Sequence, residues 1–324
     1  MTQFRTDFKL PSYPFSLSHQ NKILALGSCF AENIGEKLTA EKFQILRNPF
    51  GIIYNPASIA EVLRRLFHAE GLTDADVFSH GNLWHSRVHH SSFSQASKKL
   101  FLENIDEKTE QAIDFSAQID RLALTFGTAY VWEEKTTGRI NTNCHKRPQR
   151  EFTRRRMSIS EMTKSLLPIL QKMKERQPTL EVLLTVSPVR HIRDGIIENR
   201  RSKAALHLAA EELCTETNFA HYFPAYEIMQ DDLRDYRFYA ADMLHPNETA
   251  AAYIYEKFRA AFFDEETQNL CEKIANIRRA FAHRPFRPDS EAHSIFKEKY
   301  RGKARELMNT HPEIDFSEEL KKEE

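Results

Sequence analysis

Three side chains of the kinds that together activate a hydroxyl stand at two junctions of the chain. Ser28 lies in Gly27-Ser28-Cys29-Phe30-Ala31, between the apolar run Lys22-Ile-Leu-Ala-Leu26 and a helix-like stretch from Glu32 to Lys42. Gly27 permits a sharp turn at the carboxyl end of a strand, which presents the next residue outward. The N–H groups that follow belong to a helix start, have no partner within their own helix and favour negative charge, as on a tetrahedral acyl intermediate. A serine in this place also serves as an N-cap, although Ala31 stands where a capping box wants Glu or Gln. The junction alone leaves nucleophile and cap open.

Asp242 and His245 form the second junction, in Ala241-Asp-Met-Leu-His-Pro-Asn247. A carboxylate three residues before an imidazole can hold its Nδ1 proton, so that Nε2 faces a hydroxyl and the cation is stabilised when it takes the proton. Only His245 among the fourteen histidines has Asp or Glu at that offset. Chance supplies such pairs at this charge content, so a turn aspartate beside a surface histidine is the plain alternative. Pro246 is read as the first residue of the helix that follows.

The elements that must position these groups follow from the pattern of the chain. Short apolar runs alternate with amphipathic segments, which predicts a parallel sheet covered by helices on both faces. Strands are expected at 22–27, 43–46, 122–132 with a hairpin return to 141–145, 180–186 and 222–229. Helices are expected at about 56–67, 158–176 with a Ser158/Glu161 capping box, 198–217 and 247–263. Beyond Arg284 the composition turns to proline and charge, with a last helix near 292–309. The division expected is one elaborated domain over 1–285 and a charged, helical extension over 286–324.

Composition narrows the partners. The 324 residues carry 46 basic and 46 acidic side chains, so no overall field recruits nucleic acid or an anionic membrane. The run Lys146-Arg147, Arg150 and Arg154-Arg155-Arg156 is the one strong basic patch, and a solvated face is its default reading. Neither a nucleic-acid nor a membrane partner is expected, and the sequence assigns no oligomeric state. Four dispersed cysteines without a CxxC pair, a polar proline-broken start and the lack of a spanning segment place the protein in the cytoplasm.

Other chemistry-bearing residues have competing readings. His85 and His89 are four apart, with His80 and His90 nearby, but no glutamate follows His85 and Gly81 argues against a regular helix. No metal is expected there; His89 is assigned to substrate contact or ordinary packing. Arg190, in Ser187-Pro-Val-Arg-His191 after a buried strand, is read as contacting an acyl or carbohydrate oxygen or as tying down its loop. Cys29 is taken as packing, because a serine facing a cleft turns its neighbour elsewhere.

These motifs together resemble the GSCFA-domain family, which is similar to the SGNH (GDSL-like) hydrolases. The likeness covers residue 22 to about 265 and includes Asn48-Pro-Phe-Gly-Ile-Ile-Tyr-Asn-Pro56, Trp84-His-Ser86, His89-His-Ser-Ser-Phe93, Asn143-Cys-His-Lys146 and Thr185-Val-Ser-Pro-Val-Arg-His191. The resemblance implies a three-layer α/β/α fold with Ser28 as nucleophile, His245 as base and then acid, and Asp242 as its orienter. It also implies that the N–H groups of Ser28 and Gly51 form the oxyanion hole. Gly27 stands where the wider superfamily has Asp, and Ala129 where an asparagine donates to the oxyanion; Asn143 and Asn55 are the candidate substitutes, each a turn residue in its plain reading, and Asn143 is the one expected. The implied activity is cleavage of an ester, of an O-acyl carbohydrate or a small metabolite, with no cofactor. Transfer of the acyl group to another alcohol is a near variant, and a catalytically weakened ligand-binding protein is the rival from another class.

Overall fold

The computed structural model describes residues 9–287 and 290–322. The first eight residues of the polar amino-terminal stretch, and Pro288 in the proline-rich segment, lie outside them. A five-stranded sheet forms the centre, with β1 (Lys22–Gly27), β2 (Gln44–Arg47), β5 (Arg121–Phe126), β9 (Glu181–Val186) and β10 (Ala220–Tyr222). In space the order is β2-β1-β5-β9-β10, and every pairing is parallel. The chain therefore leaves β1 first toward one edge and then, after β2, returns to build toward the other. Such a reversal opens a crevice above the carboxyl ends of the two strands where it occurs, here β1 and β5.

Period-two burial along the strands divides the core between the two faces of the sheet. Leu24, Leu26, Leu122, Leu124, Val182 and Leu184 enter one cluster, which also takes in residues of α2 (Pro56–His68), α4 (Ile159–Arg176) and α5 (Ile196–Thr215). Ile23 and Leu183 enter the opposite cluster with Phe30 and Leu38 of α1 (Cys29–Ala40) and Ile254, Phe258 and Phe262 of α7 (Glu248–Phe262). The expected capping box forms, with Glu161 N–H donating to Ser158 Oγ and Ser158 N–H to Glu161 Oε2.

Two expected strands differ in the structure. The run 122–132 is broken at Gly127-Thr128, whose N–H groups both donate to Tyr54 O at 2.8 and 3.0 Å. Beyond the break, β6 (Tyr130–Glu134) leaves the central sheet and pairs with β7 (Ile140–Asn141) and β8 (Phe152–Arg156). The run 222–229 is strand only as far as Tyr222, and then continues as a short helix, α6 (Ala225–Glu227), and a π turn over Ile228–Asp232. Between β2 and β5 the chain adds the hairpin β3 (Val77–His80) and β4 (Leu83–Ser86) and the long helix α3 (Lys98–Ser116).

After α7, helix α8 (Glu265–Phe281) joins two cores. Its Cys271 enters the cluster of α1 and α7, while Leu270, Ile274 and Ile277 pack with Ala304 and Leu307 of α9 (Glu291–Thr310) and with Ile314 and Phe316. Arg278 also donates to Ala40 O at 2.7 Å, which ties α8 to the end of α1.

Candidate active site

Ser28 directly follows β1, and Gly27 explains how the chain reaches it. Gly27 lies opposite Thr125 of β5 with φ +146°, and a Cβ there would stand 2.3 Å from Thr125 O. Only glycine allows the two backbones to run so close. Ser28 is the N-cap of α1: its Oγ accepts from Phe30 N–H at 3.3 Å, and its own N–H donates to Thr125 O at 3.3 Å. The residue is 0 % exposed. Its hydroxyl proton meets no acceptor among the described residues.

Asp242 and His245 form a closed turn of their own. Asp242 Oδ2 is 2.6 Å from His245 Nδ1, and Oδ1 accepts the N–H groups of Leu244 and His245 at 2.9 and 3.0 Å. The bonds from the His245 backbone, the Leu244 backbone and the His245 ring hold the Asp242 carboxyl down at about 2. An anionic Asp242 in turn fixes the proton of His245 on Nδ1 and leaves Nε2 as an acceptor. The helix begins one position later than expected, since Asn247 Oδ1 caps α7 by accepting Ala250 N–H and Pro246 precedes that cap.

The Asp242–His245 turn is bonded to the loop that follows β9, where Arg190 N–H donates to Leu244 O at 3.2 Å. The Asp242 charge bears on Cys29, the neighbour of Ser28, and His245 bears on His191. No hydrogen bond joins Ser28 to His245 among the described residues. Burial pushes the Cys29 thiol up, and Cys29 packs against the apolar cluster of α1 and α7.

The residues expected around the nucleophile fall out unevenly. Gly51, at φ +79°, donates its N–H to Asn48 O at 2.7 Å, and a Cβ on it would meet His90 Cβ at 2.4 Å. Its N–H is thus committed to a turn. Asn143 Nδ2 donates one N–H to Ser91 Oγ at 3.0 Å and its Oδ1 accepts His145 N–H at 2.7 Å, which ties its loop to the Ser91 segment. His89 is 1 % exposed, stacks on Phe50 at 4.4 Å and bonds to Ser86 Oγ, which puts it on the packing side of its two readings. Arg190 Nη2 donates to Gln230 Oε1 at 2.8 Å and, more loosely, to Tyr239 OH at 3.4 Å. No carboxylate pairs with it among the described residues, so any tie it gives its loop is through these neutral partners.

The basic run is largely neutralised. Arg147 pairs with Glu134 and Glu151, Arg154 with Asp194, Arg155 with Glu133 and Glu161, and Arg156 with Glu198. Among the described residues no group of three or more His, Cys, Asp and Glu could hold a metal, and no helix is long and apolar enough to cross a membrane.

Two residues at the ends of β5 and β9 escaped the sequence reading. Lys203 is fully buried, and its Nζ donates to Gly127 O at 2.7 Å and Ser187 O at 2.6 Å, clamping the ends of β5 and β9 together. Burial pushes its ammonium down to about 7. His191 lies over Gly127, its ring edge-on to Tyr54 at 4.9 Å. The available signal was a lysine at core spacing in α5, beside Asn199, Ser202 and Leu206, which are all buried.

The GSCFA family model matches residues 22–258, a span that holds Ser28, Asp242 and His245. The chain belongs to the GSCFA family. Residues 274–324 match the model described as "GSCFA domain protein, C-terminal domain", which begins within α8 of this GSCFA chain. No curated protein matches the chain. Among solved structures it is similar to the psychrotrophic esterase EstA from Pseudoalteromonas sp., in a structure inhibited by monoethylphosphonate. The identity is 15%, the match covers 75% of this chain and 96% of that one, and the TM-score is 0.35.

Proposed function

We propose that this GSCFA protein is a serine hydrolase that cleaves an ester through an acyl-enzyme at Ser28. The reading is supported by Ser28 at the carboxyl end of β1, beside β5, where open parallel sheets bind ligands, and by the Asp242–His245 pair, whose turn is bonded to the loop after β9. His245 Nε2 takes the Ser28 proton as Oγ attacks the ester carbonyl. The proton then passes to the leaving alkoxide as the tetrahedral intermediate collapses, and water repeats the sequence to release the acid. Asp242 keeps the Nδ1 proton in place throughout.

Ser28 has no exposed surface, so a substrate reaches it only when the residues that cover it move apart. Arg190, beside Gln230 and Tyr239, would contact an oxygen of an O-acyl carbohydrate or a small acyl ester. An alcohol in place of water would make the same acyl-enzyme a transferase. Four free cysteines support a reducing compartment, the cytoplasm.

The rival, a ligand-binding protein on the same fold, draws support from Ala129 and from the commitment of Gly51 N–H to Asn48 O. Turnover of p-nitrophenyl acetate or butyrate by wild type, Ser28→Ala and His245→Ala separates the two. Hydrolysis lost in both variants is the expected result; equal rates in all three would leave the binding protein.

A further inference from the structure

We propose that the imidazole of His191 donates its Nε2–H to the oxyanion formed when Ser28 attacks an ester, supplying the side-chain donor that Ala129 lacks. This inference rests on the ester-hydrolase reading and names a catalytic residue within it. Its starting point is Gly127, which directly follows β5 and lies close to Ser28. A Cβ placed on Gly127 would lie 3.2 Å from His191 Nε2, 3.2 Å from Tyr54 O and 3.3 Å from Ser28 Cβ. One small space at the strand ends is therefore bordered by the nucleophile's side chain and by an imidazole nitrogen. Glycine keeps that space open.

The imidazole is held there by its surroundings. His191 N–H donates to Asn199 Oδ1 at 2.9 Å, which ties the residue to the start of α5, and Tyr54 braces the ring edge-on. Its Nε2 is buried and has no hydrogen-bond partner among the described residues. A buried polar atom without a partner calls for an explanation, and an acceptor that arrives only during the reaction is one. An oxyanion hole works in this way, since its donors are aimed in advance at charge that develops in the transition state.

Three other donors already hold a hydrogen bond. Gly51 N–H bonds to Asn48 O, the Asn143 amide bonds to Ser91, and Ala129 turns its own N–H to Ser202 Oγ at 2.8 Å. Burial, with the charges of Lys203, Arg154 and His245, pushes the His191 imidazole down to about 4. At neutral pH it is uncharged and carries one proton, and a neutral imidazole is a competent electrophile toward a developing oxyanion. With the proton on Nε2, the donor points at the space beside Ser28.

The test compares wild type with His191→Ala, His191→Phe, His191→Gln and Ser28→Ala on p-nitrophenyl acetate, with thermal unfolding of each. Phe keeps a ring against Tyr54 but removes the donor, while Gln restores an N–H. We expect kcat to fall about a hundredfold in His191→Ala and His191→Phe with KM little changed, and to recover in part in His191→Gln. A folded His191→Phe with wild-type kcat, beside an inactive Ser28→Ala, would overturn the inference and leave the hydrolase reading standing. Equal turnover by wild type and Ser28→Ala would overturn the hydrolase reading, and the inference with it. A second measurement needs no variant: in the wild-type protein phosphonylated at Ser28, the His191 Nε2–H proton signal should move downfield. An unmoved signal in that adduct would also overturn the inference.

Discussion

Asp242 reaches His245 twice, through Oδ2 to the ring Nδ1 at 2.6 Å and through Oδ1 to the backbone N–H at 3.0 Å. The carboxylate thus fixes both where the imidazole sits and which nitrogen carries its proton. In Asp242→Asn an amide N–H can face Nδ1 and drive the proton to Nε2, the atom that must accept. Ester turnover should fall about a thousandfold or more with the fold intact, as measured by kcat and by the thermal unfolding midpoint. Wild-type kcat in this variant would remove Asp242 from the mechanism.

Gly27 sets the approach of β1 to β5. In Gly27→Ala the new methyl would press on the backbone carbonyl of Thr125 at a φ that L residues rarely adopt. The expected loss is about 3 kcal/mol of stability, from overpacking and backbone strain together, read by denaturant unfolding.

Lys203 closes the floor of the crevice with bonds to Gly127 O and Ser187 O. Lys203→Met leaves both carbonyls without that donor and should cost about 2–4 kcal/mol. The charge adds a pH signature. Its folded value of about 7 lies below the ordinary 10.5, so between these values the unfolded chain binds more protons. Stability therefore gains from this group as pH rises through that window, and the contribution is flat below it. Denaturant midpoints measured from pH 6 to 10 should lose that component in Lys203→Met.

Far from the crevice, Asp76 is sealed between Arg65 and Arg139. Burial alone would raise its carboxyl, but the Thr73 N–H and hydroxyl and the two arginines outweigh it and hold the group at about 2. Its stabilisation is present above the ordinary aspartate value and is lost as pH falls toward 2. Asp76→Asn leaves the buried Arg65 with Glu61 as its one carboxylate partner among the described residues, and unfolding should show a loss of about 2 kcal/mol with a weaker acid dependence.

Much of this was legible where local pattern and tertiary role agree. The apolar run before Gly27, Ser158 with Glu161, and the spacing of Ile254, Phe258 and Phe262 each announce an element that forms. The 122–132 run misled because β5 and β6 are both apolar and β-branched or aromatic in kind, and the break depends on Tyr54 O drawing off two N–H groups. Phe223 to Met229 misled because a short buried run reads alike as strand or helix. Side-chain roles were harder still. Asn143 meets Ser91, and His191 meets Gly127, across long stretches of chain. The motifs name such residues without saying what each faces.

The most direct test of the account is the site of covalent labelling by a fluorophosphonate, located by mass spectrometry on the intact protein and its peptides. The account predicts one adduct on Ser28, formed far more slowly in His245→Ala. An unlabelled Ser28, or an adduct that persists unchanged in Ser28→Ala, would contradict it.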